Sequence, residues 1–241
     1  METHPITWIS LIPTLKNLPP HTVHATFVML LVIGFSVVAN RQLAAARAAG
    51  NALVPDERLT ARNLAERFVG AMHSLSEGVL GACGRRYVPL FGSFFIFILI
   101  GNLLGLVPGF APPTSDFNIT FALGVASFLA YNAIGIQAQG IVEYCKHFAG
   151  PIWWLAVLMV PLELIDNLVR PVSLALRPFG NMTGDHLVLE IFTDLTKFIV
   201  PVVFYMLGAF VSLIQAFVFT LLTIIYVSLA VGHHGDEHHQ H

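Results

Sequence analysis

The chain has 241 residues, 56% hydrophobic and 11% charged, with a formal net charge of −2. Soluble domains carry about 25% charged residues, so this composition, with a mean hydropathy of +0.74, excludes an ordinary soluble enzyme and a disordered chain. Twelve Lys and Arg leave no basic face for nucleic acid, and Cys83 and Cys145 have no CxxC or His-paired spacing for a disulfide framework or a zinc site. The length suits one integral membrane domain of about five or six crossings, each needing about 20 apolar residues.

Uncharged runs locate the spans in chain order. The first covers residues 22–40. Residues 1–21 are long, polar and proline-containing, and no small-residue cleavage site follows, so this is a retained span rather than a cleaved signal. Residues 41–86 are polar, but Leu64, Phe68, Met72, Leu75 and Val79 recur at helical spacing. Arg58, Arg62, Glu66 and Arg67 fall off that stripe. The pattern predicts an amphipathic helix too charged to span, lying on the membrane surface; a small helix packed on the spans is the alternative. The next spans are residues 87–108 and 117–142. Residues 151–193 are apolar but carry charges, residues 198–231 carry none, and residues 232–241 are a His-rich tail. That tail reads as a flexible polar terminus rather than a metal site.

Lys and Arg set the orientation. Arg41, Arg47, Arg58, Arg62, Arg67, Arg85 and Arg86 are seven of the twelve basic residues, which places the 41–86 loop in the cytoplasm. The N-terminus is then outside, and five spans put the C-terminus inside.

The last two segments are too long for simple crossings. Residues 151–190 would reach about 60 Å as one helix at about 1.5 Å per residue, against a hydrocarbon core of about 30 Å. They form either two re-entrant hairpins or one hairpin of two long, strongly tilted helices. The short connection at 193–197 favours antiparallel neighbours. Pro161, Pro171, Pro178 and Gly180 interrupt the first helix and predict kinks. The fold class is an all-α polytopic membrane protein: about five membrane helices, one amphipathic surface helix, and a long tilted hairpin at the end.

Ionisable groups at membrane depth are costly and mark ion pathways. At about 100° per residue, Glu163, Asp166, Arg170, Ser173, Arg177, Asn181 and Asp185 share a sector of about 120°. His186 and Glu190 fall roughly opposite, in the outer half only. Two aqueous half-paths that do not meet would bring protons to the membrane centre from each side. A permanent cation between them would block a leak, and Arg suits this because it keeps its proton at any working pH. An intrahelical pair of Arg177 with Asp185 or Glu163 has the wrong spacing, since i,i+4 is needed.

Three stretches resemble one family. Arg170-Pro-Val-Ser-Leu-Ala-Leu-Arg177-Pro-Phe-Gly-Asn181-Met resembles the signature of subunit a of F-type ATP synthases. Ser93–Pro108, with Asn102-Leu-Leu-Gly-Leu-Val-Pro108, looks like its preceding signature, and Gln215–Tyr226 looks like its last helix. The resemblance implies a stator subunit carrying the proton path beside a rotating ring of c subunits, held with b-type peripheral stalk subunits and the rest of the complex. It puts Arg177 on the essential arginine. Asn181, Asn102, Gln215 and His186 fall on outer half-channel positions, joined here by Asp185 and Glu190. Glu163 and Ser173 fall on the cytoplasmic half-channel, with Asp166 and Arg170 beside them.

Two departures stand out. Pro178 replaces a bulky aliphatic residue, removes an amide hydrogen bond to Leu174 and biases Arg177 away from helical geometry, which predicts a kink more than added solvent access. Gly105 stands where many members carry an acid after Asn102, and the last helix offers only Ser212 and Gln215. No Gly-rich phosphate loop, HExxH or GxSxG occurs, so the expectation is a subunit that binds no nucleotide, cofactor or metal and has protons as its cargo. The rival reading, a secondary ion transporter with a midplane charged site, lacks the internal repeat that class shows. The absence of an Arg- and Ser-rich presequence favours a bacterial inner membrane over an organellar one.

Overall fold

In a computed structural model of the chain, residues 19–48, 60–107, 109–141, 144, 156–195 and 199–231 are described, and all regular structure among them is helical. The elements are α1 (Pro20–Ala48), α2 (Ala61–Leu80), a 3-10 turn (Gly81–Tyr87), α3 (Val88–Gly105), a short 3-10 turn (Pro113–Ser115), α4 (Phe117–Gln139), α5 (Ala156–Leu195) and α6 (Ile199–Val231). The first helix outruns its expected end at residue 40. Its Ala-rich continuation, including Ala44, Ala45 and Ala46, has the highest helix propensity of any residue type.

Among the described residues four helical stretches are long and apolar enough to cross a membrane: His21–Ala48, Ala61–Gly105 (which joins α2 and α3), Phe117–Gln139 and Val202–Val231. Composition therefore supports four of the five expected spans. The exception is α5, whose Glu163, Asp166, Arg170, Arg177 and Asp185 lower its hydropathy.

The chain divides into two units, Met1–Pro113 and Thr114–His241. In the first, Val28, Met72, Phe91, Phe95 and Ile98 are buried. The Phe68 ring lies 5.6 Å from that of Phe95, and a Cβ on Gly92 would sit 3.4 Å from Phe68. Helix α2 starts at the Thr60 cap, whose side chain accepts from the Asn63 amide. It stops at Gly81, whose φ of 63° suits glycine. One sequence expectation fails here. Arg62, assigned to the polar face, is buried at 2% exposure, while Leu64 on the apolar stripe is 59% exposed. The packed face of α2 is rotated toward Met72, Ser76 and Arg62. Glu66 binds the Arg62 Nε at 2.7 Å, and Gln42 Oε1 accepts from its backbone amide at 2.9 Å, which offsets the burial.

In the second unit α4 packs against both α5 and α6. Its buried residues, Thr120, Gly124, Ser127, Tyr131, Ile134 and Gly135, recur every three or four positions and form one seam of small and polar side chains. In a bilayer, lipid is as apolar as leucine, so helix association depends on close approach and hydrogen bonds. Both are present. A Cβ on Gly124 would lie 2.5 Å from the Pro171 carbonyl oxygen. Ser127 Oγ meets Thr223 Oγ1 at 3.0 Å, and Gln139 Nε2 donates to the Ala230 carbonyl at 2.7 Å.

The long segments resolve as two single helices. α5 has 40 residues and runs unbroken through Pro161, Pro171 and Pro178, so Arg177 keeps helical geometry despite the proline after it. α6 has 33 residues. Pro171 lacks an amide proton, which frees the Asn167 carbonyl of its i−4 partner. The Tyr131 hydroxyl of α4 lies 3.3 Å from that carbonyl oxygen and shares its one proton between it and the Asn167 side-chain oxygen. That external donor helps explain why proline does not break the helix there.

Candidate functional site

The predicted polar stripe of α5 lies along the border between its packed and open faces. Asn167, Pro171, Leu174, Ala175, Pro178 and Met182 form the buried face. Beside them, Glu163, Arg170 and Asp185 are half-buried, and Asp166, Ser173, Arg177 and Asn181 are exposed.

At its start the stripe is internally neutralised. Asp166 Oδ2 accepts from Arg170 Nη2 at 2.5 Å and from its Nε at 3.1 Å, an i,i+4 pair. The Arg170 guanidinium also lies 5.3 Å from the centre of the Tyr226 ring on α6. Below it is a polar cluster that spacing on α5 alone did not reveal. The Tyr131 hydroxyl contacts both the side chain and the carbonyl of Asn167. Asn132 Oδ1 accepts from the Tyr144 hydroxyl at 2.6 Å and is 3.5 Å from Asn167 Nδ2. Asn167 is uncharged, so a search for ionisable groups passed over it; the signal was its place four residues before Pro171.

One turn past Arg177, Asn181 Nδ2 donates to Gln215 Oε1 on α6 at 2.7 Å. The structure thus joins two residues that the sequence assigned to one path, 34 positions apart. Gln215 is buried at 2% exposure, and its Nε2 has no hydrogen-bond partner among the described residues. Asn102 is buried at 1% in α3 and belongs to the first unit. His186 and Glu190 lie on the backbone of α5, but their side chains, like the His-rich tail, fall outside the described residues. Among the described residues no group of three or more His, Cys, Asp or Glu is placed to hold a metal.

Arg177 stands apart. Its side chain is exposed and makes no hydrogen bond or ion pair among the described residues. Exposed Ser173 and Asn181 flank it one turn to either side along the stripe, and the rest of the open face of α5 is apolar: Leu168 is 63% exposed, Val169 53% and Leu176 50%. A permanent cation at membrane depth is costly unless it pairs with an anion or faces water.

The family described as ATP synthase A chain matches residues 22–228. The chain belongs to that family. It is 40% identical over 226 residues to ATP synthase subunit a of Bdellovibrio bacteriovorus, covering 94% of this chain and 97% of that one. It is 47% identical over 166 residues to ATP synthase subunit a of Geobacter sulfurreducens, covering 69% and 72%. The Trichlorobacter lovleyi ATP synthase subunit a is 49% identical, with the same coverage. The ATP synthase A chain match spans α1 to α6 almost completely, so both the polar stripe and the Asn181–Gln215 contact lie within the shared region.

Proposed function

We propose that the chain is the stator proton-channel subunit of an ATP synthase, in a bacterial inner membrane, and that Arg177 faces the carboxylates of a rotating c-subunit ring. Arg177, exposed beside an apolar face and without a hydrogen bond or ion pair among the described residues, is the observation that carries this reading. A proton enters from outside by way of Asn102, Asn181, Gln215, Asp185, His186 and Glu190, and neutralises a rotor carboxylate near Arg177. The neutral acid can then turn into lipid without the cost of burying a charge. After nearly a full turn the acid meets the cytoplasmic half-channel, where Glu163 and Ser173, with Asp166 and Arg170, take the proton away. Each charge moved supplies about 2.3 kcal/mol per 100 mV. The exposed apolar faces of α5 and α6, including Met206, Phe210 and Leu213, are the surface laid against the ring.

ATP-driven acidification of inverted vesicles containing the assembled complex tests this. Arg177→Ala is expected to assemble normally and to lower pumping by about a hundredfold or more, as loss of one preorganised charge does in other sites. Normal pumping by that variant rejects the reading.

A further inference from the structure

A buried serine or threonine in a helix usually satisfies itself by donating to the carbonyl three or four residues back. Two buried threonines of this chain do so: Thr223 donates to the Phe219 carbonyl at 3.0 Å and Thr120 to that of Phe117 at 3.1 Å. Ser212 does not. It has 0% exposure, and its hydroxyl has no partner among the described residues. One turn further on, the Gln215 amide nitrogen is in the same condition, while its oxygen is held by Asn181. Positions i and i+3 are neighbours on a helix surface. The two orphaned groups therefore share one face of α6, next to the Asn181 contact. Thr220, also unpaired, lies about 140° from Gln215 around the helix and takes no part.

Resting on the function proposed above, we infer that Ser212 and Gln215 hold ordered water beside Asn181, and that the Ser212 hydroxyl is a working member of the proton path. A buried water needs two to four polar partners. Ser212 Oγ and Gln215 Nε2 supply two, and helix carbonyls with a free lone pair supply others. α6 contains no Asp, Glu, Lys, Arg or His, so a hydroxyl and an amide are what it can contribute beside Asn181. A hydroxyl in a water file accepts a proton from one neighbour as it passes its own to the next, and ends unchanged.

Silver-ion inhibition of the assembled complex in inverted vesicles tests the inference, because Ag+ reaches a thiol only through water. Cys83 and Cys145 are first replaced by Ser. Ag+ is then expected to stop pumping in Ser212→Cys and to spare Ser127→Cys, whose native hydroxyl is paired with Thr223. An Ag+-insensitive Ser212→Cys beside a sensitive Gln215→Cys overturns the role of Ser212 and leaves the channel reading intact, whereas normal pumping by Arg177→Ala overturns that reading itself. A second pair decides the matter if Ser212→Cys does not assemble. Ser212→Ala is expected to slow pumping roughly two- to tenfold, the scale of one hydrogen bond, with Ser212→Thr restoring it. Equal rates for Ser212→Ala and the native complex reject the inference.

Discussion

At the scale of single residues, the chain distinguishes two arginines seven positions apart. Arg170 is closed off by Asp166 and the Tyr226 ring, whereas Arg177 has no such partner among the described residues. If Arg177 exchanges ion pairs with a moving carboxylate, its planar fork and fixed charge both matter, and lysine replaces neither. Arg177→Lys is expected to assemble and to pump well below the native rate, whereas Arg170→Lys retains its ion pair and most of its rate; vesicle acidification measures both. The polar stripe was legible because seven polar residues repeat at the helical angle. The Asn181–Gln215 bond was not, because nothing in spacing says which residues of two helices meet. A double-mutant cycle of Asn181→Ala and Gln215→Ala, read as pumping rate, is expected to show coupling of about 0.5–3 kcal/mol, the range for residues in direct contact. Strict additivity would mean that the bond contributes nothing to transport.

At the scale of elements, the length and charge of α5 and its place in a long hairpin were legible, and how it carries its prolines was not. Three prolines argue for interruption when a helix is read alone. At Pro171 the missing amide is compensated from α4, where the Tyr131 hydroxyl reaches the Asn167 carbonyl and Gly124 lets the backbones approach. The compensating donor lies 36 residues from the carbonyl it serves, beyond the reach of local pattern. Tyr131→Phe keeps the ring and strands the buried carbonyl. It is expected to destabilise the protein by about 1–3 kcal/mol, measured as a lower unfolding midpoint of the purified complex in detergent. Gly124→Leu is expected to be worse, since even a Cβ would meet the Pro171 oxygen at 2.5 Å. An unchanged midpoint for both would mean that α4 does not support α5 at this point.

At the scale of the whole molecule, charge asymmetry is the strongest guide to orientation, and it acts through short loops near the span ends. Seven of the twelve basic residues fall between residues 41 and 86. The structure adds that the described residues of this stretch are almost all helical, with Arg62 turned inward, so part of the basic signal serves packing as well as topology. Arg85 and Arg86 stand just before α3, a position where the bias of basic residues toward cytoplasmic loops predicts the cytoplasmic surface. Cys83 lies in the same turn, is exposed and carries a free thiol, which makes it a native reporter of that loop. With Cys145→Ser removing the second thiol, a membrane-impermeant maleimide is expected to label Cys83 in inverted vesicles and not in intact spheroplasts. The reverse pattern would put the basic loop outside, and would exchange the entry and exit sides assigned to the two half-channels while leaving Arg177 between them.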